Sequence, residues 1–97
     1  MKIRLRLYGV FRSAVGSDMV ELDLSSGTPT VRFALSQLFV RKDCVGLSGL
    51  ILDGESSDAR SSALILVSGR EIGTLEGLET KLKDEDEVSL LPVAHGG

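Results

Sequence analysis

Apolar positions in this chain repeat with two different periods, and the changes of period mark the expected elements. Ile3, Leu5 and Leu7 alternate with Lys2, Arg4 and Arg6, the period-two signature of a half-buried strand. After a turn through Ala14-Val15-Gly16-Ser17-Asp18 the alternation returns as Val20, Leu22 and Leu24 against Glu21 and Asp23, which predicts an antiparallel hairpin. The outward residues are basic on the first strand and acidic on the second. Pairing them sets Arg6 near Glu21 and Arg4 near Asp23, each pair contributing a few tenths of a kcal/mol and helping to hold the register. Ser25 to Pro29 reads as a turn, and Thr30 as the N-cap of a helix reaching about Lys42. Val31, Ala34, Leu35 and Leu38, with Phe39 at the margin, form its apolar stripe. Arg41 and Lys42 then suit the negative end of the helix dipole.

The pattern weakens from Asp43 to Ser62. Val45, Leu47, Leu50, Ile51 and Leu52 supply one more turn of helix against the core, and the polar, small residues from Asp53 to Ser62 read as a mobile loop. Ala63 to Val67 is a strand apolar on both faces. A turn at Ser68-Gly69-Arg70 leads to a short edge strand near Glu71-Ile72. Leu75, Leu78 and Leu82 punctuate a turn-rich segment, Asp84-Glu85-Asp86 makes an acidic turn, and Glu87 to Val93 is the final strand. The fold class is therefore α+β, with one main helix on one face of a mixed sheet. Alternation in the last strand sends Val88 and Leu90 inward and Leu91 outward. With Ile65 and Val67 also inward, Leu64 and Leu66 join Leu91 on the open face. Such a face is normally polar, so three aliphatic side chains there predict a protein contact, the alternative being that the loop from Asp53 to Ser62 folds over them.

Composition narrows the classes. Ninety-seven residues with 42% hydrophobic and 26% charged content make one domain with a single modest core. The aromatic share is only 4% and tryptophan is absent, so that core is aliphatic. A net charge of -3 without a basic cluster argues against nucleic acid. The longest apolar runs fall far short of the roughly 18 residues a membrane span needs. The N-terminus lacks the continuous apolar stretch of a signal peptide. A single cysteine, Cys44, permits no internal disulfide, and a reducing cytoplasmic location is expected.

Candidate chemistry gathers at the C-terminus. The final strand stops at Pro92, and Val93-Ala94-His95-Gly96-Gly97 follows. We expect a folded domain over 1–93 and a flexible tail over 94–97 that presents the Gly97 carboxylate. Gly96 and Gly97 lack a Cβ and fit a cleft too narrow for side chains. The six residues after Leu91 reach roughly 20 Å when extended. A carboxylate is a poor electrophile until it is activated, for example as an acyl-adenylate. The chain has no G-x-x-x-x-G-K and no G-x-G-x-x-G with which to bind ATP itself. Nor does it show a nucleophile constellation: Cys44 reads as a packed or incidental thiol, and His95 has no second ligand or orienting group. No metal site is expected.

Leu64-Ile65-Leu66-Val67-Ser68-Gly69-Arg70, Leu75-Glu76-Gly77-Leu78, Leu82-Lys83-Asp84 through Asp86-Glu87-Val88, and the closing Pro92-Val93-Ala94-His95-Gly96-Gly97 resemble the small subunit of molybdopterin synthase (MoaD) and its archaeal relatives, the MoaD/ThiS-type sulfur carriers. The similarity covers nearly the whole chain. It implies a ubiquitin-like β-grasp fold with sheet order 2-1-5-3-4, in which the last strand lies centrally and parallel to the first. It also implies a function: a partner adenylates the Gly97 carboxylate and sulfur then replaces one oxygen to give a thiocarboxylate. ATP and the sulfur donor belong to that partner, and no cofactor is bound by this chain. The implied partners are an adenylating enzyme of the ubiquitin-activating type and the large subunit of molybdopterin synthase or another sulfur acceptor. They would meet Leu64, Leu66, Leu91, Pro92, Val93 and His95. Leu91-Pro92 stands where the family often has two prolines, and His95 where it has a small residue. A histidine directly before Gly-Gly is similar to the ubiquitin-related modifier, so conjugation through Gly97 to lysines of target proteins stands as the alternative, and an inert β-grasp interaction domain as a further one.

Overall fold

The computed structural model describes residues 1–25, 27–51 and 63–93. Five strands form one sheet: β1 (Lys2–Leu7), β2 (Met19–Asp23), β3 (Ala63–Val67), β4 (Arg70–Glu71) and β5 (Glu87–Pro92), in the order β2-β1-β5-β3-β4. β1 and β5 run parallel at the centre, and the remaining neighbours are antiparallel. The predicted β-grasp order is the one observed. Among the described residues three helices accompany the sheet: α1 (Gly9–Val15), α2 (Val31–Phe39) and α3 (Val45–Ile51). Short 3-10 turns cover Lys42–Cys44, Ile72–Thr74 and Gly77–Glu79. The expected Asp53–Ser62 loop, Leu52 and the tail residues Ala94, His95, Gly96 and Gly97 lie outside the described residues.

The face assignment from sequence holds. Ile3, Leu5 and Leu7 of β1, Val20 and Leu22 of β2, and Leu24 beyond it are buried in one cluster with Val31, Ala34, Leu35 and Leu38 of α2. Ile65, Val67, Val88 and Leu90 join from the other strands, so alternation predicted the inward set of four strands. Phe11 of α1 and Leu47 and Ile51 of α3 enter the same cluster. All three helices therefore lie on one side of the sheet.

Several expectations are corrected. The segment between β1 and β2 is not only a turn: it holds α1, closed by Gly16 at φ +82°, whose N–H donates to the Arg12 carbonyl at 2.8 Å. Seven residues with one buried side chain and no side-chain N-cap give no periodic signal. Packing against α3 and β5 holds this helix rather than propensity. The hairpin register is displaced by two residues, with Arg4 opposite Glu21 and Lys2 opposite Asp23, while Arg6 lies opposite Met19. A two-residue slip keeps every side chain on its own face, so the apolar pattern cannot distinguish the two registers. The main helix starts as expected, Thr30 Oγ1 accepting the Phe33 N–H at 3.2 Å. It ends at Phe39 rather than near Lys42. Arg41 adopts extended backbone, φ -71° and ψ 140°, and its guanidinium donates to Asp43 and to the Glu21 carbonyl of β2. β4 covers Arg70–Glu71, one residue earlier than predicted, and β5 stops at Pro92 rather than Val93. The further helical turn after Asp43 is α3, in which Leu47 and Ile51 are buried while Val45 and Leu50 face outward.

Candidate functional site

Leu64 and Leu91 are direct cross-strand partners in β3 and β5, and Leu66 lies opposite Ser89. All three leucines sit on the side of the sheet away from the helices. Leu64 is 42% exposed, and Leu66 and Leu91 are half-buried. The structure thus brings together the predicted trio. Pro92 and Val93 follow directly and are exposed, so the apolar surface continues to the last described residue. His95, Gly96 and Gly97 lie outside the described residues.

Tyr8 is a member of this surface that the sequence reading passed over. Its backbone is extended, φ -127° and ψ 156°, and its N–H donates to the Leu90 carbonyl at 3.2 Å. It therefore continues the parallel pairing of β1 with β5 one residue past Leu7 and Leu90. Alternation sends Tyr8 to the face opposite Leu7, next to Leu91, and it is 40% exposed. Tyr8, Leu91 and Leu64 form one row across three strands. The parity of Lys2, Arg4, Arg6 and Tyr8 was the available signal.

The outward residues of β1 before Tyr8 are charged and each is ion-paired. Lys2 lies 3.4 Å from Glu21, Arg4 lies 3.9 Å from Glu85, and Arg6 Nε lies 2.8 Å from Glu87. The hydrogen bond to Glu87 and its charge keep the Arg6 guanidinium even more basic than usual. Along β1 and β5 the face thus passes from ion pairs at Arg4 and Glu87, through Arg6 and Ser89, to the apolar row at the root of the tail. That row, with Leu66 beside it, offers surface whose burial gains free energy without breaking an ion pair.

The acidic turn is occupied by structure. Asp84 accepts the Lys2 N–H at 2.7 Å, and Asp86 accepts the Lys83 N–H at 2.7 Å and the Ser68 hydroxyl at 3.1 Å. Glu85 takes positive φ, 71°, as the apex of the bend. Cys44 is fully buried, and burial, then the hydrogen bond to Asp43, pushes its thiol up from the ordinary value. A buried neutral thiol is a core residue rather than a nucleophile. Among the described residues no group of three His, Cys, Asp or Glu side chains is placed to hold a metal, and no helix is long and apolar enough to cross a membrane.

With this geometry in place, the chain can be set beside known proteins. No protein-family model matches it. It is 36% identical over 98 residues to small archaeal modifier protein 3 of Haloferax volcanii, covering all of both chains. It is 34% identical over 97 residues, again end to end, to a protein of Archaeoglobus fulgidus named for a sulfur carrier role. The solution structure of small archaeal modifier protein 1 from Methanosarcina acetivorans superposes with a TM-score of 0.79 at 30% identity, covering 99% of this chain and 96% of that one. A chain of the Amycolatopsis orientalis BexX/CysO complex shares the fold, with a TM-score of 0.73 at 21% identity over 98% and 99% of the two chains. End-to-end identity above 30% with a modifier and with a sulfur carrier, on a β-grasp sheet of the expected order, carries the conclusion: the chain belongs to the ubiquitin-like family of small archaeal modifier and sulfur carrier proteins.

Proposed function

We propose that this chain carries sulfur on its own C-terminus, as the protein substrate of an ATP-dependent adenylating enzyme of the ubiquitin-activating type. The Gly97 carboxylate attacks the α-phosphate of ATP and displaces pyrophosphate, giving an acyl-adenylate. A sulfur nucleophile on the donor then attacks the carbonyl carbon and AMP leaves. With a persulfide as donor this gives an acyl disulfide, and a second thiol of the partner then attacks the donor-side sulfur, forming a disulfide there and releasing the thiocarboxylate. ATP and sulfur donor are both bound by the partner, and this chain contributes the acyl group and the surface by which it is held. The favoured client is the large subunit of molybdopterin synthase. The observation that carries the reading is the row Tyr8, Leu91 and Leu64, an apolar surface at the root of the tail on a face whose β1 positions Lys2, Arg4 and Arg6 are ion-paired.

Conjugation of Gly97 to lysine amines of target proteins is the second reading, favoured by the 36% identity to a modifier protein. Both start from the same acyl-adenylate and diverge in the nucleophile that takes it. Intact mass after incubation of the full chain with adenylating enzyme, ATP and sulfur donor separates them. A gain equal to sulfur replacing oxygen supports the carrier. Higher-mass species joined through lysine support the modifier. A chain left unchanged in mass and unjoined, with an enzyme that activates a known relative, overturns both.

A further inference from the structure

Gly9 opens α1 at the point where β5 ends. Its φ is +56°, and a Cβ built on it would lie 2.8 Å from Cγ of Pro92 and 3.4 Å from Cδ. Gly16 and Gly69 also take positive φ, yet nothing lies within 4 Å of a Cβ built on either. Gly9 therefore combines two separate demands for a missing side chain, one from the backbone and one from the Pro92 ring. The hydrogen bond from Tyr8 N–H to the Leu90 carbonyl at 3.2 Å ties the backbone on one side of the contact. Pairing of Pro92 with Ala63 in β3 ties the other. Proline fixes its own φ near about -65°, so a displaced ring carries the Pro92 Cα and carbonyl with it and moves the start of Val93. Val93 follows the ring directly and is the last described residue, so a shift at the ring changes where the chain leaves the sheet.

We infer that Gly9 is a positioning residue: the seat it makes for the Pro92 ring fixes where the chain leaves the sheet at Val93, and so the root from which the terminus is presented to the adenylating partner. The inference rests on the reading that the Gly97 carboxylate is activated, and concerns how this chain presents it. Gly9 itself touches neither the reacting carboxylate nor ATP.

The test uses four variants of the full chain: Gly9→Ala, Gly9→Asn, Pro92→Ala, and Gly9→Ala combined with Pro92→Ala. Two readouts are taken, the residual dipolar coupling of the Val93 N–H, and KM and kcat for ATP–pyrophosphate exchange by an adenylating enzyme that accepts the parent chain. Gly9→Ala is expected to shift the Val93 coupling and raise KM about tenfold while kcat stays within about twofold, a failure of presentation rather than of chemistry. Asn accepts positive φ more readily than Ala but still carries a Cβ, so Gly9→Asn should behave the same way if the ring contact is the cause. In the Pro92→Ala background, adding Gly9→Ala should change neither readout. A folded Gly9→Ala with parental coupling and KM overturns the inference. So does an effect that persists undiminished in the Pro92→Ala background, which assigns it to backbone strain. If Gly9→Ala does not fold, Pro92→Ala decides: unchanged coupling and KM without the ring overturn the inference. If the parent chain is not adenylated at all, the functional reading fails, and the Val93 couplings still test the seat.

Discussion

Leu64 and Leu91 face each other across β3 and β5, and Tyr8 completes their row from β1. Two strands and the extended residue that follows a third thus converge on one apolar strip at the root of the tail. Leu66→Asp or Leu91→Asp should leave the domain folded, because neither side chain belongs to the core cluster. Each should weaken binding to the adenylating enzyme or to the sulfur acceptor by about 2 kcal/mol or more, the level of an interface hot spot. Titration calorimetry on both folded variants checks this, and unchanged affinity in both would remove the outward leucine patch of β3 and β5 from the interface.

Leu5 and Leu35 test the other side of the sheet. Leu5 is fully buried and Leu35 nearly so, in one cluster that joins β1 to α2. Truncating either to Ala should cost about 2 to 5 kcal/mol, from lost transfer free energy plus the cavity left behind. Chemical denaturation of the two variants measures it, and near-neutral results would contradict the packing.

Deleting Gly97, or Gly96 with Gly97, should abolish adenylation and thiocarboxylate formation. The core runs from Ile3 to Leu90, so the melting temperature of the shortened chain is expected to stay within about a degree or two of the parent. A fall of several degrees by calorimetry would show that the terminus takes part in the fold.

Cys44 offers a readout of local opening. With its side chain sealed in the core, alkylation by a maleimide under native conditions should be about a hundredfold or more slower than in denaturant. Equal rates would mean that the segment around Lys42–Cys44 opens freely.

Asp43 gives a pH-dependent signature. The Arg41 guanidinium donates to its two carboxylate oxygens at 3.1 and 3.2 Å and holds its carboxyl below the usual carboxylate range. A depressed folded-state value means the pair stabilises the fold above the ordinary Asp pKa of about 3.9, and that contribution fades as pH falls through the folded value. Arg41→Gln should therefore move the Asp43 titration upward toward the ordinary value, as followed by NMR. A midpoint that does not move would show that Arg41 is not the cause.

Local patterning specified most of this protein. Period-two alternation named the inward and outward residues of β1, β2, β3 and β5, and the stripe from Val31 to Leu38 with Thr30 before it named the main helix and its start. Those signals are legible because burial on one face imposes a period, and a helix start needs an acceptor for its free N–H groups. The Leu64, Leu66 and Leu91 patch was legible for the same reason, as apolar residues in outward phase. Tertiary structure decided what has no period. The register of β1 on β2 was settled by where the chain emerges from α1 and by charges arriving from the acidic turn and β5, because a slip of two preserves every face. α1 exists because Phe11 finds a place in the core and Gly16 closes it, although its seven residues could not sustain a helix alone. The end of α2 falls where the chain turns extended at Arg41, whose guanidinium reaches Asp43 and the edge of β2. The seat of Pro92 on Gly9 joins residues 83 positions apart, a close contact that no local pattern encodes, since only the completed sheet brings the end of β5 against the start of α1.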